Sequence, residues 1–233
     1  MDDGKAISAL GQALRRIVAT ITAMAGFGEE QTLLRRQRNT ILRLLRPAES
    51  ATRRLIVAMA RGLAVHLRQP SPARPRRLGP KPQTRRWPLV LSLLDPQRHR
   101  QRRRWVRRTS VPRIMHLGLA AALPLVCRPL PLPDDVLDAA GLNARLAALN
   151  GALADMEGRA RAFARWQARQ AVAANALGAI AAGEPAPARL LRRALRRPLR
   201  IGRAPGNSRR SPHEIHTLLA QTHTLALDAL APP

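Results

Sequence analysis

The stretch LNARLAALNGALADMEGRARAF, from Leu142 to Phe163, decides the fold class. Leu142, Leu146, Leu149, Leu153, Met156, Ala160 and Phe163 recur at alternating steps of four and three residues. That spacing gathers all seven on one face of an α-helix and on no common face of a strand. Asp155 with Arg159, and Glu157 with Arg161, stand four residues apart with the acid first, the orientation that supports a helix. Gly151 and Gly158 predict a small-residue groove where another helix approaches closely, a second helix of the chain or, as the alternative, one across an oligomer seam.

The same periodicity extends outward. Ile7, Leu10, Leu14, Ile17, Ile21 and Met24 form a narrow stripe that Gly26 and Gly28 end. Glu29 and Glu30 suit the start of a second helix carrying Leu33, Leu34, Ile41, Leu44 and Leu45. Pro47 is expected to break that helix, and a third, with Leu55, Ile56, Met59, Leu63 and Leu67, must stop before the prolines from Pro70 onward. Asp134, Asp135 and Asp138 suit a helix start ahead of Leu142, and Ser211, Pro212 and Glu214 suit an N-cap, first turn and capping box for the helix that follows.

There is no tyrosine, and Trp87, Trp105, Trp166, Phe27 and Phe163 are the only aromatic residues besides histidine, so a core must be built from aliphatic side chains that favour helices. The expected fold is all-α: two small helical modules joined by a Pro/Arg-rich, largely irregular segment. The expected divisions are a three-helix module at 1–69, a linker at 70–133 and an amphipathic helical segment at 134–185. A basic segment at 186–210 and a capped helix at 211–233, packing on the second module, complete them. The linker contains an apolar island, PLVLSLL at 88–94, ahead of an Asp95-Pro96 turn signal. Outside that island it holds too little apolar surface to offset its ordering entropy and should be extended or disordered in isolation.

Charge is distributed unevenly. The chain has 41 basic and 14 acidic residues, a formal charge of +27, and only Lys5 and Lys81 are lysine. Residues 71–113 carry 14 basic groups and one acid, and 186–210 carry 9 basic groups and none, whereas 114–185 carry 6 of each. A GC-rich coding sequence accounts for arginine over lysine but not for the scarcity of carboxylates. Charge of this size draws polyanions through counterion release.

Cys127 is alone, which fits a reducing compartment, and the opening Asp2 and Asp3 do not fit the basic start of a signal peptide. The longest apolar run, Ile114 to Cys127, is interrupted by Pro124 and is too short to span a bilayer. A cytoplasmic protein without a transmembrane segment is the expectation. Contact with an anionic membrane surface stays open.

The sharpest candidate interface is RHRQRRRWVRR at 98–108. Arg98, Arg100, Arg102, Arg103, Arg104, Arg107 and Arg108 supply guanidiniums that can grip phosphates in bidentate fashion, and Trp105 supplies a stacking face. Arg85, Arg86 and Trp87 repeat the combination upstream. A second basic element, ARLLRRALRRPLRIGR at 188–203, sets Arg192, Arg193, Arg196 and Arg197 largely opposite Leu191 and Leu195, as in a helix resting on phosphates or lipid headgroups. Against this stands a plain alternative, in which the leucines dock the element on the body and the arginines are solvated.

His213, His216 and His223 share one helix, but no cysteine pair or carboxylate completes a zinc set around them. Phosphate-binding glycine loops, nucleophile elbows and metalloprotease motifs are missing from the sequence. No cofactor or metal is expected, and catalysis has no motif behind it. The leading expectation is a basic helical protein that binds a polyanion, DNA or RNA, with low sequence specificity. The alternative is a structural or adaptor protein that binds a partner helix or acidic protein through its leucine seams.

Three stretches, RPAESATRRLIVAMARGL at 46–63, LSLLDPQRHRQRRRWVRRTSVPRI at 91–114 and RRSPHEIHTLLAQTHTLALDAL at 209–230, resemble a family of hypothetical proteins from GC-rich proteobacterial genomes. The resemblance covers about a quarter of the chain. It implies a cytoplasmic bacterial protein and brings no activity, cofactor or site with it.

Overall fold

The computed structural model describes residues 3–26, 32–67, 90–95, 131–180, 196–200, 202–207 and 213–231. Among these the fold is all-α, with five helices and one small ribbon. The helices are α1 (Asp3–Met24), α2 (Arg35–Met59), α3 (Ala140–Ala154), α4 (Met156–Gly178) and α5 (Glu214–Leu230). Strands β1 (Thr32–Leu34) and β2 (Val136–Asp138) pair antiparallel with Leu33 opposite Leu137. None of the described helices is long and apolar enough to cross a membrane.

The apolar stripe of α1 packs as its spacing requires. Leu14, Ile17 and Ile21 are buried together with Val18, whereas Met24, the last residue of the helix, is exposed. Gly26 ends the helix with a positive φ of 58°.

Two expectations for the next stretch do not hold. The residues Thr32 to Leu34 are extended rather than helical, because β2 supplies their backbone partners and Leu33 alone turns inward. Asp135 and Pro133 carbonyls accept from the N–H groups of Arg35 and Arg36 at 2.8 and 2.9 Å, meeting donors that a helix start leaves open. Asp134 and Asp135 therefore serve the start of α2, pairing with Arg36 and Arg35, and only Asp138 serves α3, through the N–H of Ala140 at 2.9 Å.

Pro47 does not break α2. The helix runs through it from Arg35 to Met59, so the expected second and third helices are one. An interior proline costs a helix about 3 kcal/mol through its missing N–H and ring clash. Here every residue from Ser50 to Ala58 is buried, and that enclosure outweighs the local cost. A helix covered on all sides in this way is the axis of the fold rather than a surface element.

The other helices pack around that axis. Leu14 and Ile21 of α1, Ile41, Leu45 and Leu55 of α2, Leu142, Leu146 and Leu149 of α3, and Ile215 and Leu219 of α5 belong to one apolar cluster. A second cluster joins Ile56 and Val57 of α2 to Ala160 and Phe163 of α4, Ala226 of α5 and Leu199. All seven members of the Leu142–Phe163 seam are thus interior.

That seam is divided between two helices at Asp155, whose φ of −117° and ψ of 56° are not helical. The Asp155 carboxylate accepts the Gly158 N–H at 3.0 Å and caps α4 instead of pairing with Arg159. Gly158 is needed for this cap, since a Cβ there would stand about 2.4 Å from the carboxylate, and Gly151 has nothing beside it. The expected two-glycine groove is absent.

Candidate functional site

The densest polar assembly in the described structure is built on the second half of α2. Arg54 is fully buried and meets Asp95 as a bidentate pair, Nη1 to Oδ1 at 3.2 Å and Nη2 to Oδ2 at 2.8 Å. Its Nη1 also donates to Ser50 Oγ at 2.6 Å, and its Nε donates to Nδ1 of His223 on α5 at 3.0 Å. Because Nδ1 accepts, the His223 proton sits on Nε2, which faces the Gly202 carbonyl at 3.1 Å. Burial first, and then the charge of Arg54, lower the His223 pKa below its ordinary value, against the opposing pull of the Gly202 bond and Asp95.

One residue earlier, Arg53 reaches a different partner. Its Nε donates to the Ser92 carbonyl at 2.8 Å, and its Nη2 lies 3.6 Å from Glu49. Glu49 in turn holds Arg145 of α3 through two bonds of 2.9 and 3.0 Å. Desolvation lowers the Arg53 pKa, and the nearby Glu49 and Asp95 work against that shift. Adjacent arginines of α2 thus clamp Ser92 of the apolar island and Asp95 just after it, and Leu91 of the island enters the core.

Asp95 extends the clamp to a third segment. Its backbone N–H donates to the Pro198 carbonyl at 2.9 Å, and its Oδ2 accepts the Arg200 N–H at 3.1 Å. A carboxylate read from the sequence as a turn marker is the junction of α2, the island and the stretch 196–200. Loop 202–207 then crosses α2 at Pro47. Gly206, with φ of 83°, lies so close that a Cβ would come about 2.7 Å from the Pro47 nitrogen.

Arg85, Arg86, Trp87, Arg98, Arg100, Arg102, Arg103, Arg104, Trp105, Arg107, Arg108, Arg192 and Arg193 lie outside the described residues. Arg196 and Arg197 are described, and both are exposed. The clamp bonds Asp95 to Pro198, each a near neighbour in sequence of one basic element. Arg98 follows the anchored Asp95 by three positions, and Arg196 and Arg197 immediately precede Pro198, the residue bonded to Asp95.

Of the histidines on α5, His213 rather than Ser211 is the N-cap, with extended backbone and Nδ1 accepting the Ile215 N–H at 3.1 Å. Burial and the neighbouring His213 and Arg203 lower the His216 pKa. No three His, Cys, Asp or Glu groups among the described residues are placed to hold a metal ion.

Sequence reasoning missed Arg54, Asp95 and His223 as a unit. The signal was present in LIVA at 55–58, an apolar run with no polar face, which implies a helix enclosed on every side and therefore an enclosed Arg54 as well.

No family model, curated protein or solved structure matches the chain.

Proposed function

We propose that this chain is a cytoplasmic, basic helical protein that binds DNA or RNA with little sequence preference through its arginine-rich segments at 84–113 and 189–210. The observation that supports the reading is the junction at Asp95. Residues 71–113 contain one carboxylate, and that carboxylate is engaged inside the fold by Arg54. The 14 basic groups of the segment therefore have no acid of their own left to neutralise them, and the anchored Asp95, three positions before Arg98 in the sequence, is bonded to Pro198, the neighbour of Arg197. The two arginine-rich segments together carry the charge for this binding, since phosphate contacts give affinity without reading bases. The leucines on which a helix-binding adaptor would rely are buried in the chain's own core.

Retention of mixed-sequence nucleic acid as a function of salt tests the reading. If about six phosphates are contacted, affinity should fall about a thousandfold between about 50 and 200 mM salt. Absence of retention at low salt, or retention indifferent to salt, removes the proposal.

A further inference from the structure

Beside the junction, the turn after α2, the middle of α4, the end of α5 and the stretch 196–198 border an open cleft of about 560 Å³. Its walls are mainly apolar, from Leu63, Pro198, Leu230 and several alanines. Arg61 and Arg196 also line it, both exposed, and neither forms an ion pair with another described residue. No carboxylate is among the described residues that line it. Trp166 contributes to the same wall, half-buried and stacked on Phe163 with ring centroids 5.4 Å apart. Gln167 and Gln170 complete the polar lining, and Gln170 Oε1 is buried without a hydrogen-bond donor among the described residues.

Each feature constrains the occupant. Two guanidiniums with no ion pair and no acid among the described residues call for an anion, and the apolar walls with an indole call for a flat, weakly hydrated body attached to it. Amide side chains in the wall suit a body with hydrogen-bonding edges. A volume within the range of small-molecule sites admits a single planar base and excludes a duplex, whose bases are already paired and stacked. Phe163 holds the indole in place from inside the core, so the platform exists before any ligand arrives.

We propose that this cleft takes one unstacked nucleobase of a single strand, with the indole of Trp166 beside the base and Arg61 and Arg196 on its flanking phosphates. The proposal rests on the nucleic-acid reading above and narrows it to a preference for single strands. Arg196 links the two, since it borders the cleft and belongs to the basic element joined at Asp95.

The test uses the full chain carrying Trp87→Phe and Trp105→Phe, so that Trp166 is the only tryptophan. The probes are a mixed-sequence single-stranded oligonucleotide and the same sequence as a duplex, at low salt, with emission read on this variant and retention on a filter measured for both the variant and the unsubstituted chain. The single strand should quench Trp166 emission and the duplex should not. Arg61→Gln with Arg196→Gln, both at exposed positions, should abolish the quenching and weaken single-strand retention about tenfold while changing duplex retention less than about threefold. Retention of both probes without quenching, or equal quenching by both, overturns the cleft and leaves the broader reading standing. Quenching that survives loss of both arginines also overturns it. Retention of neither probe by the unsubstituted chain overturns the broader reading and the cleft with it.

Discussion

Arg54 and Asp95, 41 residues apart, form a bidentate ion pair in which neither side chain is more than 1% exposed. Two such charges are costly to bring out of water, and the pair persists because Ser50, His223 and the Arg200 N–H complete its hydrogen bonds. Removing one partner leaves the other charged and enclosed. Asp95→Asn should lower unfolding free energy by about 3–5 kcal/mol in a urea titration. Arg54→Met combined with Asp95→Leu should recover more than half of that loss, since no enclosed charge remains. A loss below about 1 kcal/mol for Asp95→Asn would show that water reaches the pair.

The His223 imidazole makes stability depend on pH in a direction set by its lowered pKa. The folded protein holds the ring neutral below the ordinary value of 6.5, where the unfolded chain already takes up a proton. The unfolded state then binds more protons, so stability should decline as pH falls from about 6.5 through the folded value. His223→Gln should flatten that part of the profile. His216, lowered as well, should keep a smaller residual slope. An unchanged profile in the variant would mean that His223 titrates alike in both states.

Gly206 and Gly62 separate backbone strain from steric conflict. Both have positive φ, 83° and 75°, but a Cβ at Gly206 would strike the Pro47 backbone, and one at Gly62 would meet nothing within 4 Å. Gly62→Ala should cost about 1 kcal/mol, the price of the left-handed conformation alone. Gly206→Ala should cost at least about 2 kcal/mol more, because α2 and the loop must move apart. Thermal melts of the two variants side by side measure the difference, and equal losses would refute a close approach at Pro47.

Asp155 and Gly158 should prove non-additive. Asp155→Ala removes the cap of α4 at a cost of about 1 kcal/mol. Gly158→Ala in the native background gains helix propensity but displaces the Asp155 carboxylate, so it should be neutral or destabilising. In the Asp155→Ala background the same substitution should stabilise by up to about 1 kcal/mol. A double-mutant cycle with no interaction energy would contradict the cap.

The residues that pack were legible in the sequence because burial imposes period. Leu142 to Phe163 and Leu14 to Ile21 announced their inner faces at helical spacing, and both faces are inside. The break at Asp155 was not legible, because an aspartate at a helical i,i+4 distance from Arg159 reads equally as a surface ion pair or as a cap. Pro47 misled for a different reason. Local propensity gives the cost of a proline, whereas the enclosure of residues 50–58 depends on distant chain, from Asp95, 41 residues beyond Arg54, to His223, 169 residues beyond it. The clamp was hidden in the same way. Arginine on a helix ordinarily keeps its head in water, and nothing local tells Arg54 that Asp95 and His223 will arrive beside it.

Helix α5 covers the axis of the fold, and this has a bearing on synthesis. The ribosome makes α1 and α2 early, but Ile215, Leu218 and Leu219, which share their apolar cluster, are separated from Leu14 by about 200 positions. Until residue 219 has left the exit tunnel, Leu45 and Leu55 lack part of their cover, and Arg54 has no imidazole to receive its Nε–H. Closure of this core is accordingly a late event, and the growing chain must carry its densest arginine run, 98–108, past ribosomal RNA before the fold around Asp95 can be completed.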